Sequence, residues 1–322
     1  MKIVFMGTPD FAVDTLKTLI DSRHEVAGVV TQPDKPKGRG GKMQFTPVKE
    51  AALEAGIEVH QPTRVKDAEF IETLRQINPD VIIVVAFGQI LPKEILDMPK
   101  YGCMNVHASL LPKLRGAAPI QWSVIDGDVE SGVTIMQMDE GLDTGDILLV
   151  KKYKLDKKET GGSLFDKLAS FGGPMILEAL DMAEEGKLNP VKQGEASTYA
   201  KMLSKETGNI DFSKDAQSIE RLIRGLNPWP SAYAFLHGRM LKIWEADVMK
   251  EADAEERGIA DKDAESGTVV AVDKNDIVVK AGKDYLVIMS LQLEGKKRMD
   301  TGAFLRGYKM ETGDRLLSER SL

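Results

Sequence analysis

The sequence contains one cysteine, Cys103, and only four histidines. A lone thiol excludes an internal disulfide and points to a reducing cytoplasm as the place of work. With so few imidazoles, scattered along the chain, a structural zinc site is not expected either. Long apolar runs are also missing. Val81–Val85 is of strand length, far short of the roughly 20 residues a membrane span needs. The opening MKIVFMGTPDF has one lysine and meets Asp10 too soon for a signal-peptide core. No Gly-x-Gly-x-x-Gly follows the first strand and no Gly-x-x-x-x-Gly-Lys-Ser/Thr occurs, so both nucleotide fingerprints fail. Gly7 then serves a tight turn. Ser109 lacks a Gly-x-Ser-x-Gly elbow, and Cys103 reads as a small core residue with no base in register. No nucleophile presents itself, which favours direct group transfer over an acyl-enzyme.

What is present is a globular composition, 42% hydrophobic and 29% charged. At 322 residues the chain exceeds one ordinary core, so two domains are expected. The net charge of −7 argues against nucleic acid only at first sight. Between Asp34 and Glu50 lie five bases, Lys35, Lys37, Arg39, Lys42 and Lys49, and no acid. Residues 190–322 hold 21 bases and 22 acids, yet seven of those acids fall in the run 251–265, read as a solvated loop. Outside that run the region is net positive. A basic face is therefore compatible with an acidic isoelectric point.

The first part alternates strand and helix signals. Ile3–Met6 is an apolar run closed by Gly7-Thr8-Pro9. Helical spacing follows from Asp10 to Ser22, and strands recur at His24–Thr31, Val81–Ala86, Gly102–Val106 and Val133–Met138. Continuous apolar strands separated by helices predict an α/β fold: a doubly wound, Rossmann-like parallel sheet over 1–189. After a linker at 190–207 the rhythm changes to short strands: Ala232–Leu236, Met240–Ala246, Thr268–Val272, Asp276–Lys280 and Tyr285–Leu291. Tight turns separate them. This pattern predicts a smaller β-barrel of OB-like type over 208–322.

Chemistry concentrates in NVHASLLP. If Asn105 and His107 end a strand, their spacing of two points both to one side. The loop DEGLDTGD, from Asp139 to Asp146, supplies Asp143 as a third member. A base, a carboxylate and an amide donor suit acyl transfer to an amine. On its own, a histidine near a strand end is more often a structural hydrogen-bonder than a base, and Asp143 could be an ordinary loop carboxylate. The run KPKGRGGKMQFTPVK combines bases, glycines and prolines and reads as a surface loop suited to phosphate contact.

NVHASLLPKLRGAAPIQWSVIDGDVESGVTIMQMDEGLDTGDIL resembles the folate-dependent formyltransferases, whose motif is Asn-x-His with a downstream Asp. GTPDFA, TQPDKPKGRG, VVAFGQILP, YAKMLSKE and NPWPSA extend the resemblance over nearly the whole chain. It implies formyl transfer from 10-formyltetrahydrofolate to the α-amino group of methionine on initiator tRNA, with no metal. It makes Asn105, His107 and Asp143 the catalytic trio and Ser109, Leu110, Leu111 and Pro112 the folate-binding segment. Backbone at Phe87–Leu91 and the Asp139–Asp143 loop would grip the pterin. Arg39 and Lys42 would reach the acceptor stem, and Lys296, Lys297 and Arg298 would contact tRNA from the barrel. A monomer is expected. Ala108 departs from the glycine of some relatives. Two other readings stay open: a sugar-nucleotide amine formyltransferase with the same donor, and a folate- or RNA-binding protein without chemistry.

Overall fold

The computed structural model describes residues 1–37, 42–195 and 197–320. The chain forms two compact units that interleave in sequence. The first is built from Met1–Pro119, Glu130–Lys154 and Leu164–Lys201; the second from Ile120–Val129, Leu155–Ser163 and Met202–Leu322. The stretch 190–207 thus contributes to both.

The strands of the first unit are β1 (Lys2–Gly7), β2 (Glu25–Val30), β3 (Lys35–Lys37), β4 (Lys42–Gln44), β5 (Val59–His60) and β6 (Val81–Val85). Then follow β7 (Cys103–His107), β8 (Arg115–Gly116), β9 (Glu130–Gln137), β10 (Ile147–Lys154) and β11 (Tyr199–Ala200). Seven of them make one sheet in the order β10-β9-β7-β6-β1-β2-β5. β5, β2, β1, β6 and β7 run parallel, as the alternating pattern predicts. Beyond β7 the sheet departs from that prediction, because β9 and β10 are antiparallel. A strand buried on both faces reads as the same apolar run in either orientation. Val4, Met6, Ile82 and Val84 form one core layer with Phe70, Ile71 and Leu74 of the helix Ala68–Ile77. Those side chains recur at helical spacing, and Asn78 ends the helix in a left-handed conformation, φ 52°.

β3 and β4 pair as a hairpin, Lys35 opposite Gln44. Arg39 lies outside the described residues, and Lys42 opens β4. The root of this hairpin is tied down. Lys49 Nζ donates to Asp34 Oδ2 at 2.5 Å and to Gln61 Oε1 at 2.7 Å, while Gln61 Nε2 donates to Asp34 Oδ1 at 2.9 Å. Lys49 is therefore neutralised and is no free phosphate ligand. Burial pushes the Asp34 carboxyl up, but the hydrogen bonds from Lys49 and Gln61 outweigh it and hold the group below its ordinary value.

The second unit contains all five short strands expected there, as β12 (Ala232–Leu236), β13 (Arg239–Met249), β14 (Val269–Val272), β15 (Ile277–Lys280) and β16 (Tyr285–Leu293). Two-residue strands β17 (Met299–Asp300) and β18 (Leu316–Leu317) complete it. The antiparallel order is β14-β15-β16-β13-β12-β18, with β17 beside β16. Backbone bonds from Val269 N to Asp314 O and from Leu316 N to Gly267 O then join the two outer strands, each 2.8 Å. The sheet curls onto itself, which removes its exposed edges. Inward residues such as Leu241, Ile243, Leu286 and Ile288 fill it, with Ile219 and Ile223 from the helix Ala216–Gly225. The acidic run is not simply a solvated loop. Glu251–Glu256 is helical, and Ala254 and Ile259 pack with Tyr285, giving the run an apolar anchor.

Candidate active site

β7 carries Asn105 and His107 on one side, two residues apart. Val84 pairs with Asn105 in parallel register, so the loop after β6 leaves the sheet beside His107. His107 is only 6% exposed. Its Nε2 lies 3.0 Å from the carbonyl oxygen of Leu114. A carbonyl has no proton to give, so Nε2 carries it and Nδ1 is left as the basic atom. Nδ1 faces Asp143 Oδ1 at 3.7 Å. The tautomer is thus set by a backbone carbonyl, and the carboxylate stands where it compensates the charge of a protonated ring. Among the described residues the Asn105 amide has no hydrogen-bond partner, which leaves both its N–H groups available.

Asp143 arrives by an indirect route. Because β9 is antiparallel to β7, the loop starts next to Cys103, where Met138 N donates to Cys103 O at 2.8 Å. It must double back to reach His107. Gly145 permits this: a Cβ there would sit 1.7 Å from the Gln137 carbonyl oxygen. Thr144 Oγ1 and Gly141 N both donate to Asp139 Oδ1, stapling the turn at 2.6 and 3.0 Å. Asp143 itself is left-handed, φ 53°, and its Oδ2 accepts from Gly116 N at 2.7 Å.

The segment after His107 divides in role. Ser109 is buried and its hydroxyl donates to Lys113 O at 2.6 Å, so that side chain is committed internally. Thr134 Oγ1 donates to Ser109 O and accepts from Leu111 N, at 2.7 and 3.2 Å. Leu111 is buried, whereas Leu110 and Pro112 are half-buried. Ala108 is buried and its backbone is not left-handed, so the methyl is accommodated. In the loop after β6, Phe87 O accepts from Thr8 Oγ1 and Gln32 Nε2, each at 3.2 Å, and Ile90 is 78% exposed. Cys103 is buried, its thiol pushed up to about 12 by burial first and by Asp97 second. It is no nucleophile at neutral pH.

Sequence reasoning missed three residues here: Leu114, Gln193 and Thr198. Thr198 Oγ1 accepts from Leu114 N at 2.9 Å, and Gln193 bonds Arg115 and the Asp143 loop. In the second unit Lys296, Lys297 and Arg298 are exposed in the turn after β16. Arg298 lies 5.1 Å and Lys242 Nζ 5.6 Å from the centre of the Trp244 ring. The period-two pattern of Leu241, Lys242, Ile243 and Trp244 signals the outward face that carries this group.

Comparison with known proteins identifies the family. The Formyl transferase profile matches residues 1–180, and that of the Formyl transferase, C-terminal domain, matches 202–309. A methionyl-tRNA formyltransferase of Lachnospira eligens is 58% identical over 97% of this chain and 98% of its own. That of Agathobacter rectalis is 56% identical over the same shares. The chain belongs to the methionyl-tRNA formyltransferase family. Among solved structures, the N-formyltransferase of Helicobacter canadensis, in complex with folinic acid and dTDP-3-aminofucose, has a TM-score of 0.65 at 17% identity. The match covers 89% of this chain and 98% of that one. HypX of Aquifex aeolicus with tetrahydrofolic acid gives 0.59 at 16% identity, over 98% of this chain and 50% of that one. Both likenesses are of fold. Among the described residues no helix is long and apolar enough to cross a membrane.

Proposed function

We infer that this chain transfers the formyl group of 10-formyltetrahydrofolate to the α-amino group of methionine carried by initiator tRNA. The observation that carries this reading is the pairing of a tautomer-locked His107 with Asp143, beside the Asn105 amide that has no partner among the described residues, in a chain so close to methionyl-tRNA formyltransferases. The amine attacks the formyl carbon, and the bond from that carbon to the donor nitrogen breaks. Asn105 N–H groups stabilise the oxyanion that develops. His107 Nδ1 takes the proton the amine loses, Asp143 balances the resulting imidazolium, and the imidazolium returns that proton to the departing donor nitrogen.

Backbone groups of the 86–91 loop and the apolar surfaces of Leu110 and Pro112 suit a flat heteroaromatic donor with hydrogen-bonding edges. The basic hairpin and the Trp244–Arg298–Lys242 group suit the phosphates and bases of RNA. These two features favour tRNA over a sugar nucleotide as acceptor. The test is transfer of labelled formyl to charged initiator tRNA, with charged elongator tRNA and a dTDP-amino sugar as competing acceptors. Transfer to the sugar and not to tRNA would replace this reading.

A further inference from the structure

Gln193 lies in a stretch whose sequence reads as linker, yet every hydrogen-bonding position of its amide is used. Nε2 donates to the carbonyl oxygens of Asp143 at 2.9 Å and Gly145 at 2.7 Å. Oε1 accepts from Arg115 Nε at 3.1 Å and Nη2 at 2.7 Å. One side chain therefore joins the loop that carries Asp143 to β8. The neighbouring residues strengthen the same connection. Arg115 N donates to Thr198 O, Ala117 N to Ala200 O, and β11 pairs with β8. Leu114 accepts from His107, and Gly116 donates to Asp143. Residues 114–116 thus touch both His107 and Asp143, and Gln193 with residues 198–200 holds residues 114–116.

We propose that Gln193 is a positioning residue for formyl transfer: it latches the Asp143 loop to Arg115 and so sets the distance between the Asp143 carboxylate and His107. The proposal rests on the reading that His107 and Asp143 carry the chemistry. The physical case is that the other bonds act elsewhere: Asp139 staples the turn within itself, and Gly116 N grips only the Asp143 side chain, whereas Gln193 ties the backbone of the turn to Arg115. Asp143 sits in a left-handed turn folded back on its own strand, and β8 is two residues long. A loop free to shift places a carboxylate over a range of distances; two N–H donors on the carbonyls of Asp143 and Gly145 narrow that range. Glutamine is required for this, because only an amide donates twice at one atom and accepts from a guanidinium at the other. Glutamate would accept from Arg115 and repel both carbonyls.

The test uses the full chain with Gln193→Met, which keeps length without hydrogen bonds, and Gln193→Glu, which keeps the Arg115 contact alone. Each is expected to lower kcat about 10–100-fold, the scale of a misplacement near 1 Å, with donor KM unchanged. Unchanged donor binding also reports that the first unit is folded. In an Asp143→Asn background, followed by single-turnover transfer, the same changes should cost nothing further, because Gln193 acts through that carboxylate. Full activity in Gln193→Glu, additive losses in the double variant, or an effect confined to KM would each overturn the proposal. Full turnover in Asp143→Asn alone would instead overturn the reading beneath it.

Discussion

Nε2 of His107 donates to the carbonyl oxygen of Leu114 across 3.0 Å, and Leu114 offers that carbonyl from a left-handed backbone, φ 57°. A non-glycine residue there gives up roughly 1–2 kcal/mol, so surrounding contacts must hold it, among them the bond from Leu114 N to Thr198. With the ring locked this way, Nδ1 is the atom left to accept a proton. Asn105→Ala is expected to fold and lose ~10²–10³ in turnover, as an oxyanion donor does. His107→Ala is expected to lose ~10²–10⁴, the range for a general base. Near-normal turnover in His107→Ala, with charged initiator tRNA in the assay, would end this assignment.

The basic hairpin leads to a salt experiment. Each phosphate neutralised steepens the dependence of binding on salt, by about 0.7–0.9 in log–log slope. Arg39 should matter most, since guanidinium can hold a phosphate or base edge bidentately. Arg39→Ala should weaken productive tRNA use, flatten the salt slope and leave donor affinity unchanged, with Arg39→Lys intermediate. Initial rates over several tRNA concentrations at two ionic strengths measure this. Impaired donor binding with intact tRNA kinetics would assign the hairpin to the folate site.

At the hairpin root, Asp34 titrates below its ordinary value, despite burial, because Lys49 and Gln61 donate to it. A carboxyl depressed in the fold adds stability above its unfolded value, near 4, and loses it as pH falls through the folded one. Asp34→Asn should therefore melt lower than the parent at pH 7, and the gap should narrow on acidification toward pH 3. Melting curves at both values decide it. A gap that stays constant would mean that charge is not what the pair contributes.

Removing 208–322 tests how the units depend on each other's sequence. Ile120–Val129 and Leu155–Ser163 belong to the second unit, where Gly161 meets Gly225 and Ile125 packs against the same glycine. Truncation leaves these stretches without partners. The fragment is expected to bind donor but to be less soluble and to melt lower than the full chain. A soluble fragment with unchanged melting would show that those stretches are accommodated without the barrel.

How much of this was readable beforehand depended on sequence distance. Asn105 and His107 share one strand, so their alignment follows from a spacing of two. Asp143 was readable as a carboxylate between glycines in a loop after a strand. The neutralisation of Lys49 was not, because Asp34 is 15 residues away and only the hairpin brings them together. Nor were Thr198 and Gln193, whose bonds to Leu114 and Arg115 span 84 and 78 residues. Polar residues in an exposed stretch carry no pattern that announces a distant backbone partner. The reversal at β9 was hidden for a different reason, since apolar burial on both faces has no direction.

The left-handed turn at Asp143 narrows what mutation can explore there. Glutamate would keep the carboxylate but is poorly suited to that backbone. Glycine would fit the backbone and remove the charge, and asparagine would tolerate the turn with a neutral side chain. Of the twenty residues, aspartate is the one that answers both demands, so a lineage that drifts from it loses either the turn or the charge in a single step.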